Sequence, residues 1–265
     1  MKIGNFETKS AEDIKPLEDI RAMFVGRKGS GKSISAVSLI QSDPDEKRKA
    51  LVIDIDKRAQ SLRGKPRVDI IDFGMKDGFQ ELQDLLYNLS VMVDKGTYQE
   101  QYCVTLLSSI TSLQVFLLRD SLRHIGVGGD GDKVAGAQKI GGMYIPGMRN
   151  YLYVSNGIED TIIQQLFYLP GNLIIEAHVV NHYNEKGSID GEAILATNKT
   201  AEKIPTFFNE VWKFEKRSSG SDQLPPKFVC VFNSTLAMTT YKQLPKEVDI
   251  TGKPFYPILK GLLTK

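Results

Sequence analysis

Residues 26–33 read Gly26-Arg27-Lys28-Gly29-Ser30-Gly31-Lys32-Ser33 and match the pattern G-x-x-x-x-G-K-[ST] at every required position. An apolar run, Arg21–Gly26, leads into this stretch as a strand, and residues 32–40 leave it as a helix. Glycines let the backbone curl so that successive N–H groups face phosphate oxygens, and the helix dipole adds to this attraction. The context favours a phosphate loop over a glycine-rich surface turn with an incidental lysine. We expect Lys32 to reach the β- and γ-phosphates of a nucleoside triphosphate and Ser33 to ligate Mg²⁺.

Beyond the loop, apolar strand-like runs alternate with segments of helical spacing. The strand-like runs are residues 50–56, 68–73, 102–109 and 173–180, and the helical segments are residues 77–93, 110–124 and 160–168. This alternation predicts an α/β fold with a doubly wound, mostly parallel sheet. Residues 211–216 and 228–232 predict an antiparallel C-terminal edge. Glycine-rich residues 126–147 and polar residues 181–201 are interpreted as long loops.

Composition narrows the class of protein. The 265 residues suffice for one large α/β domain, and a net charge of +2 excludes a bulk basic field for nucleic acid. Cys103 and Cys230 lie in strand-like runs, so we expect buried free thiols in a reducing compartment. The uncharged residues 102–118 carry several serines and threonines, and the N-terminus lacks an apolar signal core. We therefore expect a cytoplasmic protein that does not enter a membrane.

Acidic residues follow the second strand-like run, which ends Ile-Asp-Ile-Asp at residues 53–56. Strand side chains alternate between faces, so Asp54 and Asp56 are expected to project to the same side. Asp56 is the candidate for orienting an attacking water, and Asp54 is a candidate magnesium ligand. The alternative for Asp56 is a solvated aspartate at a strand end. The strand of residues 102–109 has no acid at its end, where Ser108 can hold only a metal-bound water.

The order of these segments resembles the RecA-like ATPase core. The resemblance covers residues 21–240, and the segments SSITSLQVF, LPGNLIIEAHVV and AEKIPTFFNEVWKF are similar to phage-encoded members, some acting in DNA recombination and single-strand annealing. It implies that Asp56 stands where the family has a catalytic glutamate and Ser108 where it has the second-motif aspartate. It also implies a γ-phosphate-sensing position for His178, for which a locally hydrogen-bonded histidine is the alternative. The departure at Ser108 puts turnover in doubt.

In RecA-like proteins, the loops after the fourth and fifth strands face DNA. The resemblance places those loops at residues 126–147 and 181–201, with candidate DNA contacts at Lys133, Lys139, Arg149 and Lys186. Acidic residues also lie in both loops, so mobile surface loops of mixed charge are the alternative. The resemblance further implies a homo-oligomer and, if the chain is phage-encoded, a location in the host cytoplasm. The expected division is an extension at 1–20, the core domain at 21–242 and a surface tail at 243–265.

Two functions follow from these residues. The first is a Mg-ATP-dependent protein that acts on single-stranded DNA in recombination or annealing, with slow hydrolysis. The second is a nucleotide-gated assembly or binding module with little hydrolysis, which the absence of an acid at Ser108 favours. A GTPase is a weaker alternative, because the sequence Asn198-Lys199-Thr200-Ala201 lacks the aspartate that reads guanine. A metabolite kinase stays open, because the fold does not settle the function.

Overall fold

The computed structural model describes residues 2–3, 6–7, 19–73, 79–124, 138–140, 143–183, 187–196, 198–219 and 224–264. The strands are β1 (Lys2–Ile3), β2 (Phe6–Glu7), β3 (Arg21–Gly26), β4 (Lys49–Asp54), β5 (Val68–Asp72), β6 (Tyr102–Ser108), β7 (Gln138–Ile140), β8 (Met143–Ile145), β9 (Asn172–Ala177), β10 (Val179–Tyr183), β11 (Ile189–Ile194), β12 (Glu210–Arg217), β13 (Lys227–Val231) and β14 (Glu247–Asp249). The α-helices are α1 (Lys32–Ser38), α2 (Phe79–Asp94), α3 (Thr97–Gln101), α4 (Ile110–His124), α5 (Met148–Glu159), α6 (Asn198–Lys203) and α7 (Phe255–Leu263).

Eight strands form the main sheet, in the order β14-β13-β12-β3-β9-β6-β4-β5. The neighbours from β12 to β5 are all parallel. The last two strands, β13 and β14, run antiparallel to their neighbours. The predicted α/β class, a mostly parallel sheet with an antiparallel C-terminal edge, is therefore confirmed. Since β9 lies between β3 and β6, the strand before the phosphate loop does not pair with the strand that ends at Ser108.

Alternate residues of the strands enter two separate cores, one on each face of the sheet. Met23 and Val25 of β3 pack in the core that α2, α4 and α5 cover. The residues between them face the opposite core, in which Phe24 lies 5.5 Å from Trp212, measured between ring centroids. Trp212 is fully buried and its Nε1 donates to Glu210 Oε2 at 2.8 Å. Burial on both faces explains why the central strands are almost continuously apolar in sequence.

The C-terminal residues complete the sheet and its cover. Strand β14 pairs with β13, and α7 buries Phe255, Tyr256, Leu259 and Leu263 against the core that contains Phe24. The backbone N–H of Tyr256 donates to Ser38 Oγ at 3.1 Å, which ties α7 to the end of α1. The segment expected to follow the surface therefore contributes a buried helix face. Its Pro- and Lys-rich composition concealed the apolar spacing of residues 255–263.

Some segments interpreted as loops contain regular structure. Strands β7 and β8 pair within residues 126–147, and β10 and β11 form a hairpin within residues 181–201 and just before them. Helix α5 begins at Met148 and continues through a π-helical turn, Asp160–Gln165, so the helix starts twelve residues before the predicted residue 160. Its apolar pattern is interrupted at Gly157, which packs closely against the side chain of Leu117. Among the residues described, no helix has the length and apolar character needed to cross a membrane.

Both cysteines are buried and free, as predicted. Cys103 lies on β6 and Cys230 on β13, in the core that also contains Trp212. Burial raises the pKa of the Cys230 thiol well above its ordinary value. These thiols therefore act as small apolar side chains in the core.

Candidate functional site

A cavity of about 580 Å³ opens at the carboxyl ends of the parallel strands β3, β4, β6 and β9. In doubly wound sheets, ligands bind at this edge. The cavity is lined by the loop and first turn of α1 (residues 28–34), by residues 56–62, and by Val52, Asp54, Ser108, Glu176, His178 and Phe228. The topology thus gathers the predicted phosphate loop, both aspartates, Ser108 and His178 around one space.

Glycine conformation shapes the phosphate loop. Gly29 and Gly31 have positive φ angles of 73° and 94°, a region that glycine occupies without steric cost. At Gly26 a Cβ atom would lie 2.3 Å from the carbonyl oxygen of Phe214 on β12, so the backbones approach too closely for any side chain. The first intrahelical bond of α1 runs from the Ser35 N–H to the Gly31 carbonyl oxygen at 3.0 Å. These features produce a curled loop that leads directly into a helix.

Lys32 places a buried ammonium group beside the cavity. Its side chain is folded back, and Nζ donates to the carbonyl oxygens of Gly26 at 2.9 Å and Arg27 at 3.1 Å. Burial lowers the pKa of Lys32, while the carboxylates of Glu176 and Asp56 act in the opposite direction. Ser30 Oγ, also buried beside the cavity, has no hydrogen-bond partner. The loop therefore holds a cation and a spare hydroxyl suited to phosphate oxygens.

Glu176 is a site residue that the sequence interpretation missed. It lies in β9, is 2% exposed, and accepts a hydrogen bond from Ser108 Oγ at 2.8 Å. Burial raises its pKa, opposed by the charge of Lys32 and by hydrogen bonds from Ser33 and Ser108. Its second oxygen, Oε1, has no hydrogen-bond partner. The sequence signal for this site residue is a glutamate inside an otherwise apolar strand, because buried glutamates are rare unless they are paired.

Asp56 is held by three neighbouring side chains. Ser109 Oγ donates to Asp56 Oδ1 at 2.9 Å, and His178 Nε2 lies 3.1 Å from Asp56 Oδ2. Burial raises the pKa of Asp56, but the hydrogen bonds from His178, Ser112 and Ser109 outweigh it and lower the pKa to about 2. His178 Nδ1 has no partner and the residue lines the cavity. Asp56 is thus an ionised, positioned carboxylate and a weak base.

Asp54, the last residue of β4, pairs in register with Ser108 of β6. Its Oδ2 accepts a hydrogen bond from the Ala59 N–H at 2.7 Å, whereas its Oδ1 is buried without a partner. Burial raises the pKa of Asp54. Asp54 Oδ1 and Glu176 Oε1 therefore lie beside the cavity as oxygen atoms with unused acceptor capacity.

These oxygens fit a magnesium ion held jointly with a phosphate group. Mg²⁺ prefers oxygen ligands and is bound through one or two carboxylates, substrate phosphates and several waters. Within the part of the chain that the structure describes, no group of three or more His, Cys, Asp or Glu side chains could hold a metal. The predicted metal set consists of Ser33, Asp54 and, through water, Ser108, and all three line the cavity.

Arg27 connects the phosphate loop to the β10–β11 hairpin. Its guanidinium donates to Asn181 Oδ1 and lies 3.3 Å from Glu192 Oε1, both of which belong to the hairpin. Glu192 also forms an ion pair with Lys213 of β12. The hairpin directly follows His178, so it is joined to the cavity through the chain and through Arg27.

The candidate DNA contacts are only partly described. Lys133 and Lys186 lie outside the described residues, and so does the side chain of Lys139, whose backbone belongs to β7. Arg149 is exposed in the first turn of α5 and does not line the cavity. Lys28, by contrast, is exposed in the loop at the cavity edge.

Comparison with known proteins gives distant structural likenesses. No protein-family model matches the chain, and no curated protein matches it. A KaiC-like protein from the hyperthermophilic archaeon Pyrococcus horikoshii OT3 has 12% sequence identity and a TM-score of 0.44, with 86% of this chain and 83% of that chain covered. The RadB recombinase has 12% identity and a TM-score of 0.42, with 86% and 84% covered. Likenesses of this size do not indicate an activity.

Proposed function

We propose that this chain binds a nucleoside triphosphate, ATP together with Mg²⁺, and uses it in an action on DNA. One observation carries the first part of this proposal: the curled loop from Gly26 to Ser33 holds the buried Lys32 ammonium beside a cavity of about 580 Å³. A triphosphate would replace the loop carbonyls as the partner of Lys32 and satisfy Ser30 Oγ. Bound Mg²⁺ would neutralise phosphate charge, and its expected protein partners are Ser33, Asp54 and, through water, Ser108.

Calorimetric titration tests nucleotide binding. ATP is titrated with and without Mg²⁺ into the wild type and into Lys32→Ala, and GTP competition establishes the base preference. We expect binding to the wild type and at least about a tenfold loss in Lys32→Ala, the size of a charge-assisted hydrogen bond. The control is Lys49→Ala, an exposed lysine at the opposite end of β4 that is paired with Asp69. Equal affinities of Lys32→Ala and wild type would refute the proposal.

The action on DNA rests on the resemblance to recombination and annealing proteins of phages, and we propose a phage-encoded homo-oligomer on the same ground. The contact of Arg27 with Asn181 and Glu192 supports it, because it joins the phosphate loop to a hairpin in the segment where the resemblance places DNA. Nucleotide binding at the loop can therefore change the position of the hairpin.

Light scattering with and without ATP measures the oligomeric state. A monomer under both conditions would contradict the proposed homo-oligomer.

Fluorescence anisotropy with a labelled single-stranded oligonucleotide tests the DNA part. Binding should weaken steeply with salt, because Lys and Arg contacts to phosphates release counterions. Charge reversal at Lys133 and Lys139 should weaken it further, while the same change at Lys49 should not. If the protein does not bind the oligonucleotide at low salt, either with or without ATP, this function is excluded.

A second candidate is a nucleotide-gated assembly or binding module with little hydrolysis. Two observations favour it: Ser108 supplies no carboxylate, and the carboxylate of Asp56 is a weak base with its oxygens already hydrogen-bonded. Turnover of ATP is measured in the wild type and in Ser108→Asp. A wild type that already turns over at enzymatic rates of about 1–10³ s⁻¹ would rule this candidate out.

A further inference from the structure

Glu176 and Ser108 are neighbours on adjacent strands of the sheet. Strands β6 and β9 are parallel, and Leu107 pairs in register with Ile175 immediately before them. The Ser108 hydroxyl donates to Glu176 Oε2 at 2.8 Å, so the two side chains lie on the same face. A glutamate carboxylate thus occupies the space beside a residue that has only a hydroxyl.

We infer that Glu176 supplies, from β9, the metal-linked carboxylate that is absent at Ser108, and that it holds the Mg²⁺ of a bound triphosphate through water. The Ser108 hydroxyl positions this carboxylate by bonding its Oε2 atom. The inference rests on the proposed function, since Mg²⁺ enters this site with the nucleotide. The carboxylate of the site would then belong to β9, the strand next to β6, which carries Ser108.

Two observations support this assignment. Glu176 Oε1 is buried without a hydrogen-bond partner, although the residue lines the cavity. An uncompensated buried carboxylate oxygen is costly, and a metal-bound water would satisfy it. Ser33, the predicted magnesium ligand, lines the same cavity and contributes to lowering the pKa of this carboxylate against the effect of burial. The predicted magnesium ligand and the unpaired Oε1 atom of Glu176 therefore belong to one cavity.

A purely structural glutamate makes a different prediction. If Glu176 served only as a counter-charge to Lys32, its neutralisation would change folding stability and nucleotide affinity equally with and without Mg²⁺. If it holds the metal, neutralisation removes the gain in affinity that Mg²⁺ provides. The ratio of ATP affinities with and without Mg²⁺ separates the two roles, and it needs no measurement of turnover.

The test is Glu176→Gln, which keeps the shape and removes the charge. Calorimetry with ATP should show the Mg²⁺ enhancement of affinity falling by about tenfold to a hundredfold, as for lost outer-sphere metal partners. ATP binding without Mg²⁺ should be retained. The matched control is Glu210→Gln, another buried glutamate, which bonds Trp212 and Thr240 away from the cavity. The control should keep the wild-type enhancement, and thermal unfolding checks that both variants fold.

Two further measurements test the inference, and the second uses wild-type protein, so it does not depend on the folding of Glu176→Gln. Adding Ser108→Asp to Glu176→Gln returns a carboxylate to the neighbouring position and should restore the Mg²⁺ enhancement. Wild-type crystals soaked with Mn²⁺ and a non-hydrolysable ATP analogue should show the metal one water molecule from Glu176. Bound analogue with the metal elsewhere, a folded double variant without restoration, or an unchanged enhancement in Glu176→Gln would each overturn the inference. An empty cavity in the soaked crystal would instead overturn the proposed function.

Discussion

His178 Nε2 lies 3.1 Å from Asp56 Oδ2, which joins the ends of β9 and β4 across the intervening strand β6. Ser109, just after β6, donates to the other oxygen of the same carboxylate at 2.9 Å. The ends of three adjacent strands are therefore connected through one aspartate. This network connects two residues that line the cavity, Asp56 and His178.

The pH dependence of stability should reveal the Asp56 network. Its pKa of about 2 in the folded protein is below the ordinary 3.8, so ionised Asp56 stabilises the fold at higher pH. This contribution is complete above about pH 4 and is lost as the pH falls towards about 2. The shift corresponds to about 2 kcal/mol in the free energy of unfolding. Denaturant titrations should show a steeper acid loss in wild type than in Asp56→Asn, and parallel curves would contradict the assignment.

Asp56→Asn should also lower ATP hydrolysis if Asp56 orients the attacking water. We expect a single-turnover rate about a hundredfold below wild type, the scale of a reacting water that loses its positioning, with nearly unchanged ATP affinity. Asp72→Asn is the control, because Asp72 ends the neighbouring strand β5 but does not line the cavity. A rate equal to wild type in Asp56→Asn would remove Asp56 from the reaction.

Leu259→Ala tests whether the C-terminal helix belongs to the core. Leu259 is fully buried in α7, so its truncation should cost about 2–5 kcal/mol of unfolding free energy. Lys260→Ala, at the exposed adjacent position of the helix, should change stability by less than about 0.5 kcal/mol. Chemical denaturation measures both. Similar small losses would mean that residues 243–265 behave as a separate tail, as the sequence had suggested.

Substitutions of loop glycines should differ according to their surroundings. Gly29→Ala puts a side chain into open space at a positive φ and should cost about 1 kcal/mol for the backbone conformation. Gly26→Ala adds a collision with the Phe214 carbonyl and should cost about 3 kcal/mol in total. Thermal and denaturant unfolding give the comparison. Equal costs would show that β3 and β12 can separate at Gly26.

The sequence by itself determined the features that depend on neighbouring residues. Residues 21–40 contain the predicted phosphate loop together with the strand before it and the helix after it. They could be recognised because glycine conformation and apolar periodicity depend on residues close together in the chain. The alternation of apolar runs was enough for the α/β class and for the antiparallel edge formed by β12 and β13. Helix α5 was missed because Gly157 and several polar residues weaken its apolar spacing.

Only the tertiary structure decided how residues far apart in the chain combine. Ser108 and Glu176 are 68 positions apart, and Asp56 and His178 are 122 apart. Their contacts depend on the order of strands in the sheet, which places β9 between β3 and β6. Many strand orders can bury the same apolar residues, so hydrophobic spacing does not select one of them. The sequence therefore predicted the phosphate loop, while the position of the Glu176 carboxylate in the same cavity came from strand order.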